Sequence, residues 1–599
     1  MKQLTIIDKC KKHAATAIWF AALIVIGSAL LFWESDFLWK AQERNLFLDT
    51  SLFFEERMQA PGGLLSWAGT FLTQFFVHPW LGTLLLCACW LLMMWLVKKA
   101  FALPNLWMPL ALVPVGLLLL TIVDMGYWVY FLKLPGHLFA GTLGTICVAA
   151  LLWVFHSIPR HWVWQMALIV VTAIMGYPLL GIYGLAATLL MGLSIWRKQQ
   201  PLWQKAMLSA VALAGAALVP QLCYHFVYHQ THLANIYFAE LPLYIVTEEH
   251  PHYYLPYYGL ALFFVGLTLL SLDCKKHFKA IATQVVIMGA LTWSVVHYWY
   301  KDENFHHELR MQHCIDQCDW EGVMSEAALQ EDEPTRAIVM MRNLALSRLG
   351  RQADEMYLYR NGSKQYEAPF GMRLMLCVGP LIYYQYGMLN YCVRLCTEMG
   401  VEFGWSVSDL KYLAKCSILN KEEAHARKYL GLLKHTTFYD EWADDAREQE
   451  DLESVAHMMH YVNRLTSDGG NIERFLMNRL AESIYKDDPV FQEQALLASL
   501  WTRDTNEFRY HFANYVNLHP KDHIPRYIQE AAYLFGKLEG REDIDRMPFD
   551  DSVKQSFERF MQAAQQYENT NVEYAREGLQ AFSDTYYYHY YMMSDLPEY

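Results

Sequence analysis

Carboxylates and histidines gather at the ends of apolar runs in this sequence. Glu34 and Asp36 follow the first run, Asp124 ends the third, and Asp302 and Glu303 follow the last. His225, His229, His232, Glu240, Glu248, Glu249, His250 and His252 fill one loop between two later runs. Acids in such places can ligate a divalent cation through oxygen or take a proton from a hydroxyl as general base. Each has a second reading. Asp36 is either a catalytic carboxylate or the cap of a helix beginning at Phe37, with Ser35 sharing the task. Glu34 and Asp124 lie at one depth and either act chemically or mark the water interface. His225 and His229 stand four apart, so they either face together as ligands at a helix end or are surface histidines. Tyr253, Tyr254, Tyr257 and Tyr258 read as an interfacial belt or as platforms for a sugar ring.

The elements that must position these groups are membrane helices. A bilayer core of about 30 Å needs roughly 20 apolar residues of helix. Candidate spans are 15–33, 80–97, 106–123, 138–156, 162–177, 179–196, 205–225, 258–273 and 280–299, with a tight turn expected at Gly176-Tyr177-Pro178. With nine spans, Lys9, Lys11, Lys12, Lys98, Lys99, Arg160, Arg197, Lys198, Lys275, Lys276 and Lys279 all fall on one side, which is the cytoplasm. The N-terminus is then inside, the first helix is an uncleaved span, and the loop acids and everything after Tyr300 are outside. Residues 62–76 are too short for a crossing, and counting them would move every later basic cluster outside. They read as an interfacial or re-entrant helix. The amphipathic run 37–58 should lie along the surface, with Lys40, Glu43, Arg44, Asp49, Glu55 and Glu56 between its apolar residues.

After Lys301 the pattern changes to soluble helices. Cys314 to Ala327, followed by Pro334, has the form of a tetratricopeptide-type helix pair, and further pairs follow. The fold class is therefore all-α: a polytopic helix bundle over 1–300, then a soluble α-solenoid over 301–599. A solenoid usually presents a concave surface to something extended, or it serves as a cap. The tail Tyr586 to Met593 should dock on the last helices or at the membrane interface.

Composition removes several function classes. A net charge of −13 argues against nucleic acid as partner. The mean hydropathy of +0.08 averages two unlike halves. The 12 cysteines are scattered and read as core thiols, with no disulfide framework. No Walker loop, dinucleotide glycine pattern, GxSxG or HExxH occurs.

The segment from Glu34 and Asp36 to Pro61-Gly62-Gly63 resembles the first outer loop of the GT-C superfamily of polytopic membrane glycosyltransferases. That family includes oligosaccharyltransferases and lipid-A sugar transferases. Its members place an acid just after the first span, follow it with membrane-parallel helices, and often carry a soluble outer domain. The likeness covers about the first 130 residues and, more loosely, the topology to Tyr300. Here the pair is Glu-Ser-Asp, and no Trp-Trp-Asp occurs in the outer half, which speaks against a peptide asparagine as acceptor. The arrangement is similar, too, to bacterial multi-span proteins with tetratricopeptide-like tails.

The resemblance implies transfer of sugar from a polyprenyl-phosphate donor to an envelope protein or glycan at the bacterial inner membrane. Asp36, Glu34 and Asp124 would be the catalytic carboxylates, Asp36 and Asp124 holding Mg²⁺ or Mn²⁺ if a metal is used. Arg44, Lys133 and His78 would bind the donor phosphate. His229, His232, Glu240, Tyr253 and Tyr254 would bind acceptor or sugar. The rival readings are a non-enzymatic membrane scaffold whose helical repeats hold envelope proteins and, behind it, a transporter or flippase.

Overall fold

The computed structural model describes residues 2–159, 161–229, 231–242, 251–270, 277–364, 375–464, 472–485, 487–519 and 523–593. Among them every regular element is a helix. The chain divides into two compact units. The first comprises Met1–Lys301 with Gly400–Ser408 and Gly431–Ala443; the second comprises Asp302–Met399, Asp409–Leu430 and Asp444–Tyr599.

In the first unit, seven stretches are long and apolar enough to cross a membrane: Thr16–Trp33, Pro79–Ala100, Asn105–Val123, His137–Ser157, Trp162–Leu180, Leu202–Phe226 and Phe278–Tyr298. Their outward faces carry apolar side chains such as Ile24, Phe32, Leu213, Leu222, Val286 and Trp293. Two of the nine expected spans are shorter. One is Ile182–Arg197; the other is a helix of 15 residues, Leu255–Leu269. The expected break at Gly176–Pro178 also lies elsewhere. The helix Trp162–Leu180 runs through Pro178, and the chain turns at Gly181, with φ 57° and ψ −131°. A proline so near the helix end forfeits one bond of the last turn, whereas that φ/ψ pair belongs to glycine.

The first helix, α1 (Lys2–Trp33), is followed by α2 (Ser35–Glu43), α3 (Ser51–Arg57) and α4 (Gly63–Thr73), the last continued by a 3₁₀ turn to Val77. The surface run expected over 37–58 is thus two helices, and α2 is not a surface helix. Lys40, Gln42 and Glu43 are buried, and Lys40 Nζ donates to Glu43 Oε2 at 2.8 Å. Pairing is what lets two charges leave water together. Thr50 caps α3, its hydroxyl accepting from the Phe53 N–H at 3.2 Å. Helix α4 packs on α5 (Pro79–Ala100) and, more extensively, on the helix His137–Ser157. A Cβ on Gly69 would lie 2.8 Å from the Gly136 carbonyl oxygen, so this crossing requires glycine.

The two later stretches of the first unit were read from sequence as part of the soluble half. They pack on the first loop instead. Arg44 Nη1 donates to Ser406 Oγ at 3.2 Å, Tyr439 Oη donates to Gln42 Oε1 at 2.8 Å, and the Phe438 ring meets Phe75 edge-on at 5.6 Å.

The second unit is built from successive helices packed on their chain neighbours, beginning with Glu303–Asp316, Trp320–Leu329 and Arg336–Arg348. The first turn there closes at Cys318, with φ 56°, and Asp319 caps the next helix by accepting from the Gly322 N–H at 2.9 Å. The helix Tyr586–Met592 packs inside this unit. Tyr586 and Tyr587 are fully buried and donate to the Leu500 and Val553 carbonyls at 3.2 and 3.0 Å. Cys392, Cys396 and Cys416 are buried together as thiols.

Candidate functional site

Helix α2 ends at Glu43 and α3 ends at Arg57, which leaves Arg44 and Arg57 at two helix ends on the same loop. Both side chains line one pocket of about 80 Å³. Its other walls include Met125, Gly136, His137 and Leu138, and Phe403, Gly404 and Trp405 from the later stretch. We label the 21-residue helix His137–Ser157 α7, after α6 (Leu112–Val123), and α7 opens into this pocket. Gly136 precedes it in the left-handed region, φ 67°. The first N–H groups of a helix have no intrahelical acceptor, and the macrodipole places partial positive charge there.

Among the described residues no carboxylate lines the pocket. The Arg57 guanidinium sits 4.7 Å from the Phe53 ring centre, and its Nε is closed to solvent without a hydrogen-bond partner among the described residues. Burial weakens the hold of Arg57 on its proton, while Glu56 and Glu240 oppose that effect. Two guanidiniums beside a helix N-terminus have the chemistry to take a tetrahedral oxyanion.

Of the three cations expected at a donor phosphate, the pocket takes only Arg44. Lys133 follows Leu132, which lines it, but its ammonium is paired with Glu402 and lies 5.6 Å from the Phe403 ring centre. His78 is exposed, stacked on Trp80 at 6.5 Å and edge-on to Phe438. Its place at the start of α5 sets it against aromatics rather than in the pocket lining.

The three candidate catalytic acids are in different circumstances. Glu34 is buried, and Trp299 Nε1 donates to its Oε1 at 2.6 Å. Asp36 lies in the first turn of α2, which begins at Ser35 and not at Phe37; its Oδ1 accepts from the Phe37 N–H at 2.8 Å. Neither lines the pocket. Asp124 ends α6 and immediately precedes Met125, a wall residue. Its Oδ2 is 3.5 Å from His252 Nε2, and burial pushes its carboxyl up to about 7. The His252 ring stacks on Tyr298 at 5.3 Å, while the next residue but one, Tyr300, donates its N–H to the Val123 carbonyl at 2.9 Å. Glu34 and Asp124 therefore flank one chain segment, Tyr298-Trp299-Tyr300.

The groups expected to bind acceptor do not form one cluster. His229 and His232 are exposed. The helix Leu202–Phe226 ends before His229, so His225 and His229 do not share a helical face. Tyr253 meets Trp128 edge-on at 5.6 Å, and Tyr254 Oη donates to the Pro242 carbonyl at 2.9 Å. Glu248, Glu249 and His250 lie outside the described residues. Glu240 is held among α3, α4 and the turn at Gly181, with Ser66 Oγ donating to its Oε1 at 2.6 Å. Asp36 and Asp124 belong to no group of three or more His, Cys, Asp or Glu able to hold a metal among the described residues.

Sequence reasoning missed Arg57 and the N-terminus of α7. Pro135-Gly136 ahead of a long apolar run is a helix-start signal that could have revealed the second; the convergence of Arg57 with it depends on tertiary packing. The chain belongs to DUF6057, a family of unknown function whose model matches residues 9–594. No curated protein and no solved structure matches it.

Proposed function

We propose that this DUF6057 protein is a membrane glycosyltransferase that takes sugar from a lipid-linked phosphate donor, with the donor phosphate in the pocket of Arg44, Arg57 and the α7 N-terminus. The observation that carries this reading is that pocket: two guanidiniums and a helix N-terminus converge, with no carboxylate in the lining among the described residues. In the proposed step the acceptor hydroxyl oxygen bonds the anomeric carbon, and the bond from that carbon to the phosphate oxygen breaks. The electron pair leaves with the phosphate, which the guanidiniums stabilise as charge grows on it. The hydroxyl proton passes to Asp124, whose carboxyl titrates at about 7 and is thus matched to base work near neutrality. Glu34 and Asp36 hold structure in this scheme.

The wider reading is a bundle of nine spans, counting the two shorter helices, with the N-terminus in the cytoplasm of a bacterial inner membrane. The first loop and the second unit then lie on the outer side. The second unit would act as a solenoid that presents an envelope protein or glycan acceptor. The distribution of Lys and Arg supports that orientation.

The test is transfer by the full chain in proteoliposomes supplied with polyprenyl-phosphate-linked sugars extracted from bacterial membranes. Wild type should form a glycosylated product, and Arg44→Gln/Arg57→Gln should not, at equal expression and unchanged melting. Undiminished product from the double variant would sink the proposal.

A further inference from the structure

Glu240 combines features that the transfer scheme above leaves unused. It is a non-glycine residue in the left-handed region, φ 72°, where a side chain is strained. Its neighbours leave no slack. A Cβ on Gly62 would lie 2.0 Å from Glu240 Cγ, and one on Gly181 would lie 2.6 Å from the Ala239 carbonyl oxygen. The backbone ties the same three segments together: Gly62 N–H donates to the Pro178 carbonyl at 2.9 Å, and Ile182 N–H donates to the Ala239 carbonyl at 3.0 Å. One carboxyl oxygen accepts from Ser66, while Oε2 is closed to solvent and has no partner among the described residues. The groups acting on this carboxyl are few. Ser66 reaches it from α4 and Arg57 from α3, with Glu56 beyond Arg57. Tyr183 approaches from the helix Ile182–Ser194, its hydroxyl also without a partner among the described residues.

Arg57 is therefore shared. It lines the oxyanion pocket, and it is the cation that acts on Glu240, yet the two make no ion pair. We propose that Glu240 is a positioning residue for the pocket: ionised Glu240 and a bound oxyanion compete for the Arg57 guanidinium, so oxyanion binding and proton uptake at Glu240 occur together. This rests on the reading of the pocket as an oxyanion site. Burial holds the Glu240 carboxyl at about 8, against the opposing pull of Ser66 and Arg57. The sign follows. Below about 8 the carboxyl is neutral and Arg57 is left to the oxyanion; above it, the carboxylate draws Arg57 and repels the oxyanion. By reciprocity the oxyanion raises the pH at which Glu240 ionises.

The test uses the full chain in detergent and sulfate as probe, because sulfate keeps its charge through this range. Binding is read from tryptophan fluorescence, with Trp405 in the pocket wall. Wild-type affinity should fall about tenfold between about pH 7 and pH 9. Glu240→Gln, which keeps an oxygen for Ser66, should bind tightly across the range, and Asp124→Asn should retain the fall. A wild type with no fall, or a Glu240→Gln profile parallel to wild type, overturns the coupling and leaves the pocket standing. Sulfate that binds wild type at no pH overturns the pocket reading itself. A readout independent of any variant is the infrared difference on adding sulfate at about pH 8. A gain of protonated carboxyl is expected, and its absence overturns the proposal.

Discussion

In the second unit, Arg336 gives Nε to Glu473 Oε2 at 2.8 Å and Nη2 to the other oxygen, and its Nη1 reaches the Asn361 and Gly362 carbonyls. Trp501 Nε1 donates to the same carboxylate at 2.8 Å. Lys415 and Asp451 form a second buried pair at 2.7 Å. In the first unit, Arg57 and Glu240 are half-buried within electrostatic reach of each other, and Arg57 Nε and Glu240 Oε2 are closed to solvent without a partner among the described residues. Asp124 has a histidine at 3.5 Å. The Arg336–Glu473 and Lys415–Asp451 pairs of the second unit hold a fold, since each charge there has a direct charged partner even where one atom, Asp451 Oδ1, has none of its own among the described residues. The first unit leaves charge incompletely answered around a pocket, the pattern expected where a ligand or a proton completes the set.

Substitution on each side can break that contrast. The largest effect should come from Arg336→Ala, which strands the Glu473 carboxylate and should cost about 3–5 kcal/mol of unfolding free energy in a denaturant titration. If it costs under about 1 kcal/mol, the closed network is not what holds this unit. Next, Arg57→Gln or Arg44→Gln alone should lower transfer about 10²- to 10³-fold with melting unchanged. Equal losses of stability and transfer would place these arginines with Arg336.

Asp124→Asn should lower the rate about 10²-fold. Because the base is the carboxylate, the wild-type rate should rise with pH through about 7, and the variant should lose that limb. A limb that survives the substitution assigns the base elsewhere. Smallest of all, Asp36→Asn should change stability by less than about 0.5 kcal/mol and leave transfer within about threefold. A larger loss of transfer would return Asp36 to the catalytic group.

The helical class, the long apolar stretches and the Cys318–Gly322 turn were legible because each rests on local pattern: period, length, and a capping aspartate. Arg44 was legible as a candidate cation because it is one of the charges of the amphipathic run 37–58. Other features depend on packing. Lys40 and Glu43 read as a wet face, yet three residues apart on α2 they neutralise each other in the interior. Lys133 read as free charge until Glu402 met it from some 270 positions away. The strained φ of Glu240 has no sequence signature, because glutamate is not a residue chosen for that region. Gly181 displaced the turn expected at Pro178 because a proline in a last helical turn is tolerated, while the φ/ψ adopted next is not open to a side chain.

Phe403, Gly404 and Trp405 supply a wall of the pocket although Arg44 and Arg57 are made far earlier in the chain. Closing so long a loop costs little more than closing a shorter one, about 0.6 kcal/mol for each doubling of length. Its consequence is one of timing. A nascent chain that has emerged only through Tyr300 carries both arginines and the start of α7 but lacks this wall of the pocket. Under the proposed function the anion site would be completed late in synthesis, so a stalled or truncated product would have its apolar helices made and its anion site unfinished.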